Sequence, residues 1–201
     1  MKFKEQEILQ EFIDSQAILK GHFILSSGLH SDTYMQCARV LMDPARSERL
    51  CKMLALKINH ELGENSIDLV VSPAMGGVII GYELARQLKV PAIFCERVNG
   101  KFELRRGFEI QENSRILIVE DVITTGKSSL ETFDLVKNFK GKIIGEACLV
   151  DRSNDNDLEK KLQTAVISLL KIDVKTFDEN SVPSELKQLP ATKPGSRFLK
   201  L

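Results

Sequence analysis

Two adjacent carboxylates and a hydroxyl-rich loop lie together near the middle of the sequence. Glu120 and Asp121 follow an apolar run at residues 116–119, and residues 124–129 read Thr-Thr-Gly-Lys-Ser-Ser. A loop of this type that leads into a helix presents free backbone N–H groups and the positive end of the helix dipole, and its hydroxyls add further donors to a phosphate. Carboxylates before such a loop suit sugar hydroxyls or a divalent cation. The segment therefore predicts a site for a ribose 5-phosphate.

A nucleotide-binding Walker loop is the nearest alternative for the same residues. It requires the pattern GxxxxGK followed by Ser or Thr. Gly126, Lys127 and Ser128 match the end of that pattern, but Asp121 stands where its first glycine would be. The Walker interpretation is therefore rejected.

The strand and helix that must position this site are indicated by hydrophobic spacing. The run at 116–119 is mostly β-branched, which is typical of a short strand buried on both faces in a parallel sheet. Three-residue spacing of apolar residues after the loop predicts a helix; these residues are Leu130, Phe133, Val136 and Phe139. Further strands are predicted at 67–71, 91–95, 142–150 and 166–170, and further helices at 3–16, 44–62 and 79–88. Alternating strands and helices predict an α/β fold with a central, mainly parallel sheet and a site at the carboxyl ends of its strands.

Two glycines mark a second turn from strand to helix. Gly76 and Gly77 follow the predicted strand at 67–71. Glycine lets the backbone approach a ligand closely, so this turn is either a second anion site or a tight turn that needs no side chain. The residues alone leave both interpretations open.

Four cations fall within ten residues around a predicted hairpin. Asn99-Gly100 is a hairpin signal, and the cations are Arg97, Lys101, Arg105 and Arg106. Such a run is usually a solvated hairpin. Beside a pyrophosphate site it would instead be a mobile loop that closes, excludes water and neutralises the charge on a leaving group.

Bulk properties exclude several classes of protein. The chain has 201 residues and 43% hydrophobic content, which predicts a single domain over residues 1–201 with a sizeable core. Lys plus Arg and Asp plus Glu both total 28, so we expect neither nucleic acid nor a membrane as partner. The charged start and the lack of an apolar run approaching ~20 residues argue against a signal peptide and a membrane span. Scattered cysteines without a CxxC pair suggest neither a zinc site nor a disulfide framework, and they predict a cytoplasmic protein.

Residues 120–128 resemble the phosphoribosyl-pyrophosphate (PRPP) signature of the type I phosphoribosyltransferases, in which two acidic residues precede a T-x-G-like loop. Within that group nearly the whole chain is similar to the orotate phosphoribosyltransferases. The further motifs that carry this similarity are residues 23–34, Glu96-Arg97 with 104–108, Asp151-Arg152 and 193–197. The resemblance implies the type I phosphoribosyltransferase fold, a central mainly parallel sheet flanked by helices, with a small N-terminal hood formed by residues 1–40 and parts of the C-terminal tail.

The same resemblance implies a glycosyltransferase reaction and the residues that perform it. Ribose 5-phosphate would pass from PRPP to orotate, giving orotidine 5′-monophosphate and pyrophosphate in de novo pyrimidine biosynthesis. Glu120 and Asp121 would hold the ribose hydroxyls and favour a cationic transition state, while Arg97 and Lys101 would neutralise the pyrophosphate. These four are the candidate catalytic residues. They would bind PRPP together with Val122, Ile123, Thr124, Thr125, Gly126, Lys127 and Ser128.

Orotate, the metal and the oligomer complete what the resemblance implies. Arg152 would pair with the orotate carboxylate, and Thr124 would also contact the base. Mg²⁺ would be the cofactor, held mainly through PRPP and without a direct protein ligand. The protein would be a homodimer in which each cationic loop closes over the neighbouring site.

Three positions depart from the family pattern. Many relatives have Lys where Ser26 stands, and some have Lys at Gly76. Relatives often have a His in the cationic loop, and here its role must fall to Arg105, to Arg106 or to no residue. Two alternatives remain: a phosphoribosyltransferase for another base, and a non-catalytic regulator that senses PRPP. The departures at Ser26 and Gly76 are the only support for the regulator. Arg152 and the segment at 26–28 favour orotate.

Overall fold

A computed structural model describes residues 5–25, 27–153 and 157–194 of the protein. The helices are α1 (Glu5–Asp14), α2 (Ala38–Leu41), α3 (Pro44–Leu62), α4 (Gly76–Leu88), α5 (Lys127–Asn138), α6 (Asp157–Leu162) and α7 (Ser184–Lys187), with a 3₁₀ turn at Glu179–Ser181. The strands are β1 (Ile18–Ile24), β2 (His30–Met35), β3 (Leu69–Pro73), β4 (Ala92–Val98), β5 (Lys101–Leu104), β6 (Arg115–Ile123), β7 (Lys142–Asp151), β8 (Val166–Lys171), β9 (Thr176–Phe177) and β10 (Ala191–Thr192).

A six-stranded sheet runs through the centre in the order β5-β4-β3-β6-β7-β8. Neighbouring strands are parallel except β5, which returns from β4 as an antiparallel edge strand. Helices cover both faces, because alternate residues of the inner strands pack in opposite directions: Leu117 and Val119 join the main core with α3 and α4, whereas Ile116 packs with Val136 of α5. The predicted α/β fold with a mainly parallel sheet is confirmed.

A second, four-stranded sheet is built from both ends of the described chain. Its order is β10-β1-β2-β9, in which β1 and β2 form an antiparallel hairpin and two short C-terminal strands pair with its edges. His22 contributes to this attachment, since its Nδ1 lies 3.2 Å from the carbonyl oxygen of Leu189. This sheet joins N-terminal residues with the C-terminal segment, as the predicted hood of residues 1–40 and parts of the C-terminal tail requires.

Local signals place several element ends as expected. Asp43 accepts hydrogen bonds from the N–H groups of the first turn of α3, and Gly63 follows its last residue. Asn99 and Gly100 have φ values of +48° and +85°, the conformation that a two-residue hairpin turn requires between β4 and β5. Among the described residues, no helix has the length and apolar character needed to cross a membrane.

Two strands and one helix are longer than the hydrophobic spacing predicted. β6 continues through the acidic pair to Ile123 because β7 pairs with it that far, and β4 continues through Arg97 because β5 pairs with it. Helix α4 begins at Gly76 rather than at residue 79. The polar residues at these ends were predicted to lie in loops, but strand pairing in the sheet extends through them.

Helix α5 also faces the sheet differently from its predicted apolar stripe. Its buried residues are Ser129, Thr132 and Val136, whereas Phe139 is 41% exposed. Hydroxyl side chains are small, and they let the helix lie close to the sheet. The predicted helix is confirmed, but its buried face is largely polar near the start.

Candidate active site

The acidic pair lies inside β6, where consecutive side chains point to opposite faces of the sheet. Glu120 shares the face of Ile116, covered by α5, and is only 8% exposed. Its burial, followed by the charges of Asp121 and Glu146, raises the pKa of Glu120 to about 9. Burial also raises the pKa of Asp121. Glu120 therefore favours the neutral form in the free protein. An approaching cation would lower the pKa values of both carboxyls.

Asp121 is enclosed by residues from separate parts of the chain. A Cβ atom at Gly76 would lie 2.6 Å from Asp121 Oδ1, so a side chain there would displace the carboxylate. Oδ1 accepts a hydrogen bond from the Val122 N–H at 2.9 Å, and the Cys37 thiol donates to the Asp121 carbonyl oxygen at 3.7 Å. The glycine turn that the sequence left open therefore packs directly against the acidic strand.

The hydroxyl-rich loop leads straight into α5, as expected for a phosphate cradle. Gly126 is the residue before the helix, with φ of +71°, and no side chain caps the first turn, whose N–H groups are directed toward the loop. A Cβ atom at Gly126 would also lie 2.5 Å from Leu158 Cδ1. Both the backbone conformation and the packing therefore favour glycine at this position. In the loop, Thr124, Thr125 and Lys127 are exposed and Ser128 is partly buried.

A polar layer lies between α5 and the sheet. Ser129 and Thr132 are 1% and 0% exposed, and the Thr132 hydroxyl is 3.8 Å from the Cys95 sulfur. Glu146 on β7 is fully buried in this region, and burial raises its pKa to about 7. Of these residues, only Ser129 belonged to a segment predicted to be functional, and Thr132, Cys95 and Glu146 were not predicted. The one signal in the sequence for this layer was an acidic residue, Glu146, within the strand predicted at 142–150.

The cationic hairpin β4–β5 lies beside α5. Arg97 Nη1 donates to the Gly100 oxygen at 2.6 Å, and its guanidinium lies 4.2 Å from the centre of the Phe102 ring. Arg97 also forms an ion pair with Glu131 of α5, which Lys127 approaches at 3.9 Å. In this structure Arg97 is thus attached to the helix that follows the phosphate loop.

The other cations of the hairpin differ in their contacts. Arg106 is held by Glu96 through two hydrogen bonds of 2.9 Å. Lys101 and Arg105 are exposed. Of the two arginines considered as substitutes for the histidine of relatives, Arg106 is therefore engaged with Glu96, while Arg105 extends into solvent.

Arg152 follows β7 and lies next to the end of β6, since its N–H donates to the Ile123 oxygen at 2.8 Å. Its side chain is half-buried, and burial lowers its pKa. The Nε atom is buried without a hydrogen-bond partner, and such a donor is costly to leave unmatched. Tyr34 of β2 lies close enough for the charges of Asp121 and Arg152 to affect its pKa, which burial raises. Tyr34 belongs to the motif at residues 23–34, but no role was predicted for its ring.

The fold gathers some of the predicted residues and separates others. Asp121, residues 122–128 and Arg152 meet at the carboxyl ends of β6 and β7, where a parallel sheet binds its ligands. Glu120 lies on the opposite face of β6 from Asp121. Arg97 and Lys101 approach from the edge hairpin. Ser26 and residues 195–197 lie outside the described residues.

The described side chains include no group of three or more His, Cys, Asp or Glu residues arranged to hold a metal ion. Asp121 is partly buried, and Glu120 is 8% exposed on the opposite face of the strand. Mg²⁺ commonly keeps several waters and binds through one or two carboxylates and substrate phosphates. This donor set therefore fits a metal brought largely by a phosphorylated substrate.

Comparisons with known proteins agree on one family. The sequence profile of the phosphoribosyl transferase domain matches residues 41–187. The chain is 50% identical over 193 residues to the orotate phosphoribosyltransferase of Erythrobacter litoralis, covering 96% of this chain and 98% of that protein.

Solved structures share the fold at lower identity. The crystal structure of orotate phosphoribosyltransferase from Aeropyrum pernix matches with a TM-score of 0.65 and 24% identity, covering 82% of this chain and 93% of the other. Adenine phosphoribosyltransferase from Saccharomyces cerevisiae gives the same TM-score at 20% identity, covering 82% and 99%. The fold alone therefore does not distinguish a pyrimidine from a purine as acceptor.

Proposed function

The chain belongs to the phosphoribosyl transferase domain family and, within it, to the orotate phosphoribosyltransferases, and we propose that its crevice joins ribose 5-phosphate from PRPP to N1 of orotate. The bond from ribose C1 to pyrophosphate breaks as the bond to N1 forms, and the products are orotidine 5′-monophosphate and pyrophosphate. The assignment rests on 50% sequence identity to an orotate phosphoribosyltransferase over 96% of this chain. In the structure, the observation that carries the choice of orotate is the buried, unmatched Nε of Arg152.

The acidic strand end supplies the electrostatic part of catalysis. As the leaving group departs, positive charge develops on the ribose, and a carboxylate beside it stabilises that charge. Asp121 is positioned for this role before substrate arrives, because Gly76 and the Val122 N–H limit its orientations. Glu120, on the other face of the strand, would hold a ribose hydroxyl. The 5-phosphate binds at the loop of residues 124–128.

The cationic hairpin supplies the counter-charge for pyrophosphate. Lys101 is exposed and can swing toward the substrate. Arg97 must exchange its contact with Glu131 for the pyrophosphate, and this exchange is feasible because exposed ion pairs contribute only ~0–1 kcal/mol. No side chain need act as a nucleophile, since orotate N1 is the attacking atom.

The base pocket lies between the two sheets. The guanidinium of Arg152 suits a carboxylate because it presents planar, paired donors, and orotate is a pyrimidine with a carboxylate. Tyr34 offers an aromatic face nearby, held by its contact with Phe23 at 5.7 Å between ring centres. Thr124 at the mouth of the phosphate loop completes this pocket.

The metal in this proposal is Mg²⁺, which when bound would neutralise pyrophosphate charge and orient PRPP. Asp121 is the side chain best placed to meet it, through a ribose hydroxyl or a water. The proposed location is the cytoplasm, and it is supported by four free, buried cysteines, a usage typical of reducing compartments.

A homodimer is the proposed assembly, and an exposed apolar patch supports it. Met42, Met75, Ile79 and Tyr82 are 73%, 84%, 50% and 69% exposed. They border or adjoin a groove of about 400 Å³ between α3, α4 and β4. Exposed apolar patches of this kind mark interaction surfaces. The patch adjoins Gly76, so a second copy seated there would lie beside the acidic strand.

Sharing of sites is tested by mixing two inactive variants, Lys101→Ala and Asp121→Asn. If each hairpin serves the neighbouring site, mixed dimers contain one intact site and recover up to about half of the wild-type rate per such dimer. Subunit exchange, followed by mass spectrometry of differently labelled subunits, shows that mixed dimers form. Exchange without recovered activity would contradict shared sites.

The reaction itself is tested by orotate absorbance with purified protein, PRPP and Mg²⁺. A PRPP-dependent fall with release of pyrophosphate establishes the activity. Consumption of another base in preference to orotate would support a different phosphoribosyltransferase, and PRPP binding without turnover of any base would support a sensor.

A further inference from the structure

The polar layer beneath α5 contains a carboxyl to which the proposed reaction gives no role. Glu146 on β7 is 0% exposed and pairs in the sheet with Ile118 of β6 and Val166 of β8. Neither carboxyl oxygen has a hydrogen-bond partner of good geometry, although the Ser129 hydroxyl is near enough to lower the pKa. An ionised carboxylate enclosed in this way is strongly disfavoured, so the structure favours the neutral acid.

The charges that raise the pKa of Glu146 are negative, and a cation, Lys171 of β8, lies beside them with its Nζ 3.7 Å from Asp151 Oδ2. Asp151, at the end of the same strand, adds to the effect of burial, and together they raise the pKa of Glu146 to about 7. Glu120 on β6 and the Cys148 thiol on β7 are each affected by the charge of Glu146 in turn. From helix α5, the group that acts on the carboxyl is the Ser129 hydroxyl. Ionisation of Glu146 would therefore place a second negative charge in an already acidic layer.

The position of Glu146 relative to the phosphate loop gives this protonation a consequence. Ser129, its nearest hydroxyl, lies in the first turn of α5, three residues after Gly126. The 5-phosphate of PRPP, a dianion, is placed by the proposed function on the N–H groups of this same turn. A negative charge directly behind those groups would oppose the phosphate and weaken the field of the helix N-terminus.

We propose that Glu146 is a positioning residue that must be protonated for tight PRPP binding: as a neutral acid it seats the first turn of α5 against the sheet, and its ionisation weakens the phosphate site. This inference rests on the proposed function. Glu146 touches neither substrate nor reacting atoms, and acts through Ser129 and the loop that precedes it.

The sign of the pH effect follows from linkage. Bound phosphate raises the pKa of Glu146 further, so PRPP binding takes up protons at pH values above that of half-ionisation in the free protein. Affinity for PRPP is then independent of Glu146 at low pH and falls as pH rises, by at most about tenfold per pH unit for one linked proton. The expected window opens near pH 7.

The test is isothermal titration calorimetry of full-length wild type and Glu146→Gln with PRPP and Mg²⁺ from pH 6 to 8.5, in buffers of different ionisation enthalpy. Wild type should take up protons and lose affinity as pH rises. The Gln variant, which is always neutral, should take up fewer protons and keep its affinity. Glu185→Gln, an exposed change on α7, serves as the control and should match wild type.

A second variant keeps the inference testable if the Gln variant does not fold. Ser129→Ala removes the hydroxyl that lowers the pKa of Glu146, so the fall in affinity should begin at higher pH. Equal pH slopes and equal proton uptake in wild type and Glu146→Gln would overturn the role of Glu146, even if thermal stability changes. If only Ser129→Ala folds, a fall in affinity that begins at the wild-type pH would overturn it. Absence of PRPP binding or orotate turnover in wild type at pH 6 would instead overturn the proposed function.

Discussion

The acidic floor, Glu120 with Asp121 on β6, and the cationic hairpin β4–β5 lie beside the same phosphate loop, but different forces hold them. The floor belongs to a strand paired with β3 and β7, and burial raises the pKa of both carboxyls. The hairpin is at the sheet edge, where Arg97 and Arg106 form ion pairs near solvent. Such pairs contribute ~0–1 kcal/mol and are screened by salt.

This difference indicates a division of labour. The acidic floor is positioned before substrate arrives, and its geometry depends on the packing of the whole sheet. The cationic hairpin can exchange its ion pairs at little cost, which suits the closing and reopening proposed for this segment. Changes to the floor should therefore alter turnover strongly, and changes to contacts of the hairpin should alter it weakly.

The largest expected effect comes from Asp121→Asn. Loss of the carboxylate next to the developing ribose cation should lower kcat by roughly 10²–10³-fold. The free protein should be at least as stable as wild type at pH 8, because the pKa of Asp121 is raised by burial and the amide carries no charge. Steady-state kinetics and thermal melting measure both. Asp134→Asn, on the exposed side of α5, is the control and should change neither. Near-normal turnover would remove the role of Asp121.

The next effect comes from Gly76→Ala, which tests whether the floor is held by packing. The new Cβ atom would lie 2.6 Å from Asp121 Oδ1, and the short side chain of Asp121 would rotate away. Misplacement by about 1 Å can cost up to roughly 10²-fold in rate, so kcat should fall tenfold or more while the protein stays folded. Gly145→Ala is the matched control: it approaches Leu62 at 3.0 Å in the core and should lower stability with little change in kcat. Equal kcat losses in both variants would contradict the packing argument.

A smaller effect is expected on stability as a function of pH. Because the folded-state pKa of Glu120 is raised from 4.5 to about 9, its protonation stabilises the folded protein fully below pH 4.5, and this contribution is lost as pH rises through about 9. The loss is at most about 1.4 kcal/mol per pH unit. Thermal melting between pH 6 and 9 should show a shallower decline for Glu120→Gln than for wild type. The exposed change Glu112→Gln should leave the wild-type slope, and an unchanged slope in Glu120→Gln would argue against a buried neutral Glu120.

The smallest effect should come from Glu131→Gln on the hairpin side. This change releases Arg97 and Lys127 from a surface partner. The KM for PRPP should fall by no more than about fivefold, and by less at high salt, because an exposed pair is worth ~0–1 kcal/mol. Glu103→Gln, elsewhere on the hairpin, should leave KM unchanged. A loss of kcat comparable to that of Asp121→Asn would show that the hairpin is as fixed as the floor, and would remove the distinction.

Much of the fold was predictable because its signals are local. Asp43 and Gly63 bound α3, and Asn99-Gly100 forms the hairpin turn, each through contacts within a few residues. The parallel strands followed from short apolar runs between helices. The acidic pair with its glycine-bearing loop was recognisable because a phosphate cradle requires these residue types in this order.

The sequence by itself determined which residue types stand at the strand ends and that the loop leads into a helix. Only the tertiary structure decided which residues face one another. Asp121 meets Gly76, Glu146 meets Ser129, and Arg97 meets Glu131, in each case across strands or helices far apart in the chain. The physical reason is that a strand or helix pattern fixes backbone conformation locally, whereas burial, and with it the pKa of a carboxyl, depends on which elements the sheet order brings together.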